Sequence, residues 1–294
     1  MGHMTAPGSS LLLVDGHNIA YRAFHAIPPL TAPDGTPIQA VLGFARILAS
    51  LRDTWRPSHV CVAFDGGLPA ARTEALATYK AQRAPMPETL RPQFAILGEY
   101  LSLAGVAHIR IEGEEADDIL ATLARRAAAD GADVVVVSGD KDLLQLASDR
   151  IALVRPQTPR ERVDPAGVRA LLGIDPGRVP EWLALTGDSS DNIPGVPGVG
   201  AKTATALLAR FGNLEALWTR VTEVTPVRIR DLLLAHRATV ERNLGMVRLR
   251  DDLPDLPDWT TLALGAPRGG ELRSFLARYG LRSLMSLVPE PELF

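Results

Sequence analysis

Four short apolar runs constrain this chain more than any other feature: Leu11–Val14, Val60–Phe64, Val134–Val137 and Ile151–Val154. None alternates polar with apolar residues, which is the pattern of strands covered on both faces. Between them lie stretches with helical spacing: Ile38–Arg52 behind Pro37, Phe94–Leu103, and Asp117–Ala129 closed by Gly131. Strands alternating with helices require right-handed crossovers and give a parallel sheet. The predicted fold class is α/β, a mostly parallel central sheet flanked by helices.

Beyond about Pro156 the strand signals stop and short helices broken by Pro and Gly take over. These are Pro165–Leu172, Glu181–Thr186, Ala201–Phe211, Leu214–Trp218, Val227–His236 and Glu271–Tyr279, with Pro254–Pro267 read as an irregular connection. The expected organisation is an α/β core over 11–178, containing an unusual basic segment at about 66–95, and a helical region over 179–294 with a glycine hairpin at about 186–211. Gly2-His3-Met4 reads as a cloning remnant and Thr5–Ser10 as a mobile tail, so the first ordered element is expected near Leu11.

Composition narrows the chemistry. With 46% hydrophobic residues in 294, the chain can bury a full core. It has no apolar run of the ~18 residues that a membrane span needs and no leader pattern, so a soluble cytoplasmic protein with no membrane partner is expected, by default a monomer. One cysteine, Cys61, excludes an internal disulfide and a cysteine metal site, and the six histidines show no ligand spacing. Any metal would be bound by oxygen.

Three of the four strands run into acids: Val14 into Asp15, Phe64 into Asp65, and Val137 through Ser138-Gly139 into Asp140 and Asp142. In a parallel sheet all strand C-termini share one edge, the edge where ligands bind. Glu115, Asp117 and Asp118 open the helix before the third strand, more acid than a cap needs. Asp188 and Asp191 precede the glycine hairpin. Like charges held within a few ångströms repel by ~1 kcal/mol per pair even in water. So many carboxylates on one rim call for counter-cations, and oxygen ligands suit two Mg²⁺ or Mn²⁺ ions, a standard device for phosphodiester cleavage. Removing these nine negative charges from a net of −3 leaves +6 for the rest of the chain, a body able to bind polyanions.

Pro194–Ala204 is a glycine-rich turn opening a helix, where Gly195, Gly198 and Gly200 let backbone approach a phosphate and Lys202 and Thr203 add contacts. Its spacing fits neither the dinucleotide nor the P-loop pattern, and a plain interhelical turn is an equal reading of this stretch alone. Tyr79, Lys80 and Arg83 leave directly from Asp65, and helical spacing would place Lys80 and Arg83 on one face. That face could fold over the acids and hold a scissile phosphate; a solvated surface is the plainer alternative.

Taken in order, Leu13-Val14-Asp15-Gly16-His17, Val62-Ala63-Phe64-Asp65, Gly113–Asp118, Gly139-Asp140-Lys141-Asp142 and Gly187–Gly200 resemble the 5′ nuclease domain of the bacterial DNA polymerase I family, related to flap endonucleases. The resemblance runs from Leu11 onward. It implies 5′–3′ exonuclease and flap endonuclease activity in replication and repair, on DNA with 5′ flaps, 5′ ends or nicks. It implies a helical arch around Tyr79, Lys80 and Arg83. It also implies one metal position near Asp15, Asp65, Glu115 and Asp117 and a second near Asp140, Asp142 and Asp191, with Asp118 and Asp188 acting partly through water. By the same resemblance the hairpin grips duplex backbone, with K⁺ bound there, and a DNA polymerase is a partner; the sequence stops at Phe294, where a polymerase would continue, so it is read as either an excised fragment or a stand-alone nuclease.

Three rivals remain open on sequence. An aspartyl-phosphate phosphatase needs Asp-x-Asp after the first strand, where this chain has Asp15-Gly16-His17. A ribonuclease of the same topology is usually shorter and lacks the hairpin. A non-catalytic DNA-binding protein would repel DNA with so many acids.

Overall fold

In the computed structural model, which describes residues 9–288, the first apolar run becomes the central strand of a sheet. The elements of the first half are β1 (Ser10–Asp15), α1 (Gly16–Ala26), α2 (Gln39–Trp55), β2 (His59–Phe64), α3 (Ala70–Ala75), α4 (Arg91–Leu103), β3 (Ala107–Arg110), α5 (Ala116–Ala129), β4 (Asp133–Val137), β5 (Ile151–Val154) and β6 (Arg162–Val163). The strands follow the order β3-β2-β1-β4-β5-β6, all parallel except the β5–β6 pair. Leu13 lies opposite Cys61 on one side and Val136 on the other, so β1 has a buried neighbour along both edges.

The period of two along each strand divides the core. Leu11 and Leu13 face α5, while Leu12 and Val14 face α1, α2 and α4. Both faces are covered, which is why these runs lack polar alternation.

Two strands escaped the sequence reading. β3 lies at the sheet edge, with half-buried Ala107 and Ile109 alternating with exposed His108 and Arg110, so it shows no continuous apolar run. β6 is only two residues long. The helix α1 was also missed; it opens on polar His17 and Asn18, and Asp15 caps it by accepting the Asn18 N–H at 3.0 Å. The reading of 1–10 as remnant and tail falls mostly outside the described residues. Where it can be compared it is too long: the Asp133 N–H donates to the Ser9 carbonyl, and Ser10 belongs to β1.

The second half comprises α6 (Pro165–Leu172), α7 (Val179–Thr186), the hairpin strands β7 (Gly187–Asp188) and β8 (Ile193–Pro194), α8 (Ala201–Phe211), α9 (Leu214–Thr219), α10 (Val227–Ala235), α11 (Arg237–Val247) and α12 (Gly269–Arg278). Residues of α7, α8, α9 and α11 continue the core on the α5 side of the sheet. In α11, absent from the sequence reading, the buried stripe is Val240, Asn243, Met246 and Val247, and the polar Asn243 masks it. That amide donates to the Ala184 and Pro194 carbonyls, tying α11 to both ends of the α7 hairpin.

The last described residues do not stay in this helical region. Leu272, Phe275 and Leu276 of α12 join the core on the α1–α2–α4 face, and Leu264 and Gly265 donate to the Ser58 and Gly105 carbonyls. Residues 264–288 therefore pack on the α/β layer rather than with the helices that precede them. Among the described residues no helix is long and apolar enough to cross a membrane.

Candidate active site

Because β1, β2 and β4 run parallel, Asp15, Asp65 and Asp140 leave the sheet at one edge. Asp15 is buried; Oδ1 accepts the Asn18 N–H and Oδ2 accepts the Ser138 hydroxyl at 2.8 Å. Asp65 stands half-open, with Oδ1 accepting the Ala116 N–H at 2.8 Å, which ties β2 to the first turn of α5. Its own N–H donates to His17 Nδ1, and the His17 ring stacks on Phe94 at 4.5 Å. Asp140 Oδ1 accepts the Asp142 N–H at 3.0 Å, and Asp142 opens a short 3₁₀ turn, Asp142–Leu146.

The acids register one another electrostatically. Burial first, then the charges of Asp65 and Asp140, push the Asp15 carboxyl up to about 7, against hydrogen bonds from Asn18 and Ser138 that oppose the rise. Burial together with Asp140, Asp15 and Asp65 holds Asp117 well above the usual carboxylate range. Asp140 is raised by burial and by Asp191 and Asp188, and Asp142 is raised strongly by burial and by Asp140, Asp188 and Asp191. Asp188 moves the other way: burial is outweighed by the Ser190 hydroxyl and amide and by Lys141 Nζ at 3.2 Å. Two groups emerge with Asp140 common to both. One contains Asp15, Asp65 and Asp117, the other Asp142, Asp188 and Asp191.

This donor set fits hard divalent cations. Asp142 Oδ1 is buried with no hydrogen-bond partner, a costly state for a carboxylate oxygen unless something cationic meets it. The side chains are not closed around such an ion: among the described residues no group of three or more His, Cys, Asp and Glu forms a ready-made metal site. Internal cations explain part of that. Glu115, at the N-cap of α5, is engaged by Arg72, by Lys80 and by the Tyr79 hydroxyl. Asp191 accepts Arg83 Nη2 at 2.5 Å and has Lys80 Nζ at 3.5 Å; its Oδ2 lies 3.2 Å from the Tyr79 oxygen, whose single proton serves either Asp191 or Glu115.

Asp118, expected to act partly through water, is held by donors of the chain itself. It is fully buried, both oxygens are held by the Arg72 fork at 2.8 and 2.9 Å, and the Arg250 N–H adds a third bond. Burial still raises its proton affinity, against the pull of Arg72. In the sequence Arg72 is simply one cation of the basic segment at about 66–95. In the fold it is 8% exposed and also donates to the Met246 carbonyl, joining α3, α5 and the end of α11. Nothing local marks it; only the acids two elements away give it a role. Ser138, Lys141 and His17 were missed as site residues for the same reason.

The basic segment does fold over the acids, but not as one helical arch with Lys80 and Arg83 on a shared face. Within 66–90 only Ala70–Ala75 is helical, and residues 77–83 form irregular turns with Lys80 in the left-handed region at φ 53°. The turn is fastened to the loop between β7 and β8: the Lys80 N–H donates to the Asp191 carbonyl at 3.0 Å and Asn192 Nδ2 to the Thr78 carbonyl at 2.7 Å. Tertiary contacts replace the helical spacing that the sequence suggested.

The glycine hairpin joins α7 to α8. A Cβ on Gly195 would lie 2.2 Å from the Thr186 carbonyl, so the two backbones touch there, and Gly198 takes φ 78°. Val196 and Val199 anchor the turn in the core, while Gly198, Gly200, Ala201 and Lys202 are exposed and Thr203 is half-buried. The free N–H groups of α8 thus open to solvent beside Lys202.

Comparisons with known proteins agree with this geometry. Residues 10–173 match the family model for the 5′-3′ exonuclease N-terminal resolvase-like domain, and residues 174–269 match that for the 5′-3′ exonuclease C-terminal SAM fold. The chain is 41% identical over 280 residues to the thermostable DNA polymerase I of Thermus aquaticus, covering 95% of this chain and 33% of that protein. It is 40% identical over 291 residues to DNA polymerase I of Rhizobium leguminosarum, covering 96% and 28%. It therefore spans about a third of the length of these curated relatives. Among solved structures, the bacteriophage T5 D15 flap endonuclease, in a pseudo-enzyme-product complex with DNA and metal ions, superposes with a TM-score of 0.70 at 22% identity, over 91% of this chain and 98% of that one. The catalytic core of Rad2 in complex with DNA gives 0.66 at 21% identity, over 96% and 92%. These two likenesses establish the fold. On the family models, which together cover most of its length, the chain belongs to the 5′–3′ exonuclease family.

Proposed function

We propose that the chain is a structure-specific 5′ nuclease, hydrolysing DNA phosphodiesters at 5′ flaps, 5′ ends and nicks during replication and repair in the bacterial cytoplasm. One observation carries the reading: acids from separate segments meet at one sheet edge, raise one another's proton affinity, and leave a buried Asp142 oxygen with no partner. Asp15, Asp65, Asp117 and Asp140 would hold one divalent ion, Mg²⁺ or Mn²⁺, and Asp140, Asp142, Asp188 and Asp191 a second. Glu115 joins the first group once Lys80 releases it. Such ions, when bound, supply an activated water and neutralise charge on the leaving oxygen.

The chain's own cations do the rest. Lys80 and Arg83 are already poised over Glu115 and Asp191, so an incoming phosphate meets two donors at the acid rim, and Tyr79 sets their approach. The exposed α8 N-terminus with Gly195, Gly198, Gly200, Lys202 and Thr203 would grip duplex backbone, with K⁺ as an added counter-ion, through phosphate contacts that position without reading bases. A DNA polymerase is the natural partner, because it creates the flaps that this site would remove.

A 5′-flap duplex incubated with Mg²⁺ and with a chelator tests the reading. Cleavage is expected only with the metal. Asp140→Ala and Asp65→Ala should lose cleavage and keep gel-shift binding of the flap DNA; turnover like the parent by either variant refutes the assignment.

A further inference from the structure

Ser138 follows β4, and its own N–H, donated to the Val154 carbonyl at 3.2 Å, fixes its backbone in the sheet. Ser138 is 5% exposed, so its hydroxyl is shielded from bulk solvent. The Asp140 N–H donates to Ser138 Oγ at 3.1 Å, and Oγ lies 2.8 Å from Asp15 Oδ2. A hydroxyl has one proton, and the Asp15 carboxylate is the acceptor within reach, so the direction of both bonds is set.

A continuous chain results. The Asp142 N–H donates to Asp140 Oδ1, the Asp140 N–H to Ser138 Oγ, and the Ser138 hydroxyl to Asp15 Oδ2. A second tie runs beside it. Asn18 donates its N–H to Asp15 Oδ1, while its side-chain oxygen accepts the Gly139 N–H at 3.2 Å. A Cβ on Gly139 would stand 3.4 Å from the Asn18 amide, so the loop is drawn closely against α1. Thus Asp15, at the end of β1, receives one donor from its own helix and one from the neighbouring strand.

We propose that Ser138 is a positioning residue that fixes the Asp15 carboxylate relative to Asp140, so that acids from two strands present a single preformed site to a divalent ion. The inference rests on the nuclease reading. Without the hydroxyl, the Asp15 plane is held from one side only and Asp140 loses the acceptor for its N–H, so ordering both acids falls to the ion. The effect is on metal affinity; Ser138 touches no reacting atom.

The experiment is Mn²⁺ titration of the whole chain, followed by the free-ion paramagnetic resonance signal, beside flap cleavage across the same Mn²⁺ range. Ser138→Ala should bind Mn²⁺ about tenfold more weakly, the usual cost of removing a group that orients a ligand, and should recover parental cleavage at saturating Mn²⁺. Ser138→Thr, which keeps the hydroxyl, should restore the affinity to within about twofold. Melting curves without metal show whether each variant is folded. Parental Mn²⁺ affinity in folded Ser138→Ala overturns the proposal, as does a loss of cleavage that saturating metal leaves in place. A parent chain that binds no Mn²⁺ and cuts no flap overturns the nuclease reading itself, which separates the two failures.

Discussion

Removing the Arg72 guanidinium should destabilise the protein more than any change to the exposed cations. Arg72 is 8% exposed, and its partners Asp118 and Glu115 are 0% and 3% exposed. Taking one partner from a buried ion pair leaves an uncompensated charge and costs about 3–5 kcal/mol. Asp118 keeps the Arg250 N–H, and Glu115 keeps Lys80 and Tyr79, which places the expected loss for Arg72→Ala near the lower bound, about 3 kcal/mol. At roughly 2–4 °C per kcal/mol for a chain of this size, the melting temperature should fall by on the order of 10 °C. Arg72→Met combined with Asp118→Leu removes both charges and should recover part of that loss, because apolar replacements of a buried pair are tolerated better than half a pair. Urea unfolding of the parent, Arg72→Met, Asp118→Leu and the double variant gives the coupling energy. A loss below about 1 kcal/mol for Arg72→Ala would refute the idea that this pair holds α3, α5 and α11 together.

The site also makes stability depend on pH. Asp15 binds its proton up to about 7 in the folded protein and to the usual 3.8 when unfolded, so its contribution is fully present below 3.8 and is lost as pH rises through 7. Asp117, Asp140 and Asp142 are shifted in the same direction. Calorimetry without metal should therefore show the melting temperature declining across this window, with the decline flattened by Mn²⁺; a metal-free rise would contradict it. Gly195→Ala places a methyl 2.2 Å from the Thr186 carbonyl, so the hairpin must shift, at a cost of about 1–3 kcal/mol, and duplex binding by gel shift should weaken while metal binding stays at the parental level. Lys202→Ala should weaken duplex binding uniformly across sequences and reduce the slope of log affinity against log salt by about one; an unchanged slope would remove Lys202 from the phosphate contacts.

What could be read from the sequence and what could not divides along a physical line. Strands buried on both faces announce themselves because each residue must be apolar, so β1, β2, β4 and β5 were legible, and the acid after Val14 or Phe64 was legible as an edge position. β3 was not, since a sheet-edge strand carries His108 and Arg110 at no cost, and α11 was not, since Asn243 finds its partners only in the folded hairpin. The same holds inside the site. Strand order predicts which acids share an edge, because backbone geometry alone decides it. Whether a given acid points at an ion or at a guanidinium depends on residues far away in sequence: Asp118 and Asp117 are neighbours in one helix turn, yet one is clamped by Arg72 while the other senses Asp15, Asp65 and Asp140.

That division bears on how the rim works. Glu115, Asp118, Asp188 and Asp191 each have an internal cation, in Arg72, Lys80, Lys141 or Arg83. Asp15 and Asp140 are held only by uncharged donors, and Asp142 keeps an oxygen with no donor at all. Neutral donors offset part of the repulsion among clustered carboxylates but carry no charge, so the proton affinity of these acids rises. A site built this way offsets the repulsion among its acids in two ways, through raised proton affinity in one group and side-chain cations on the other. Of the side-chain cations, Lys80 and Arg83 belong to the irregular turn over the site, whereas Arg72 is locked into the core. On the proposed reading, the cations that would exchange carboxylate for phosphate are Lys80 and Arg83, while Arg72 keeps its bonds to Asp118 beneath them.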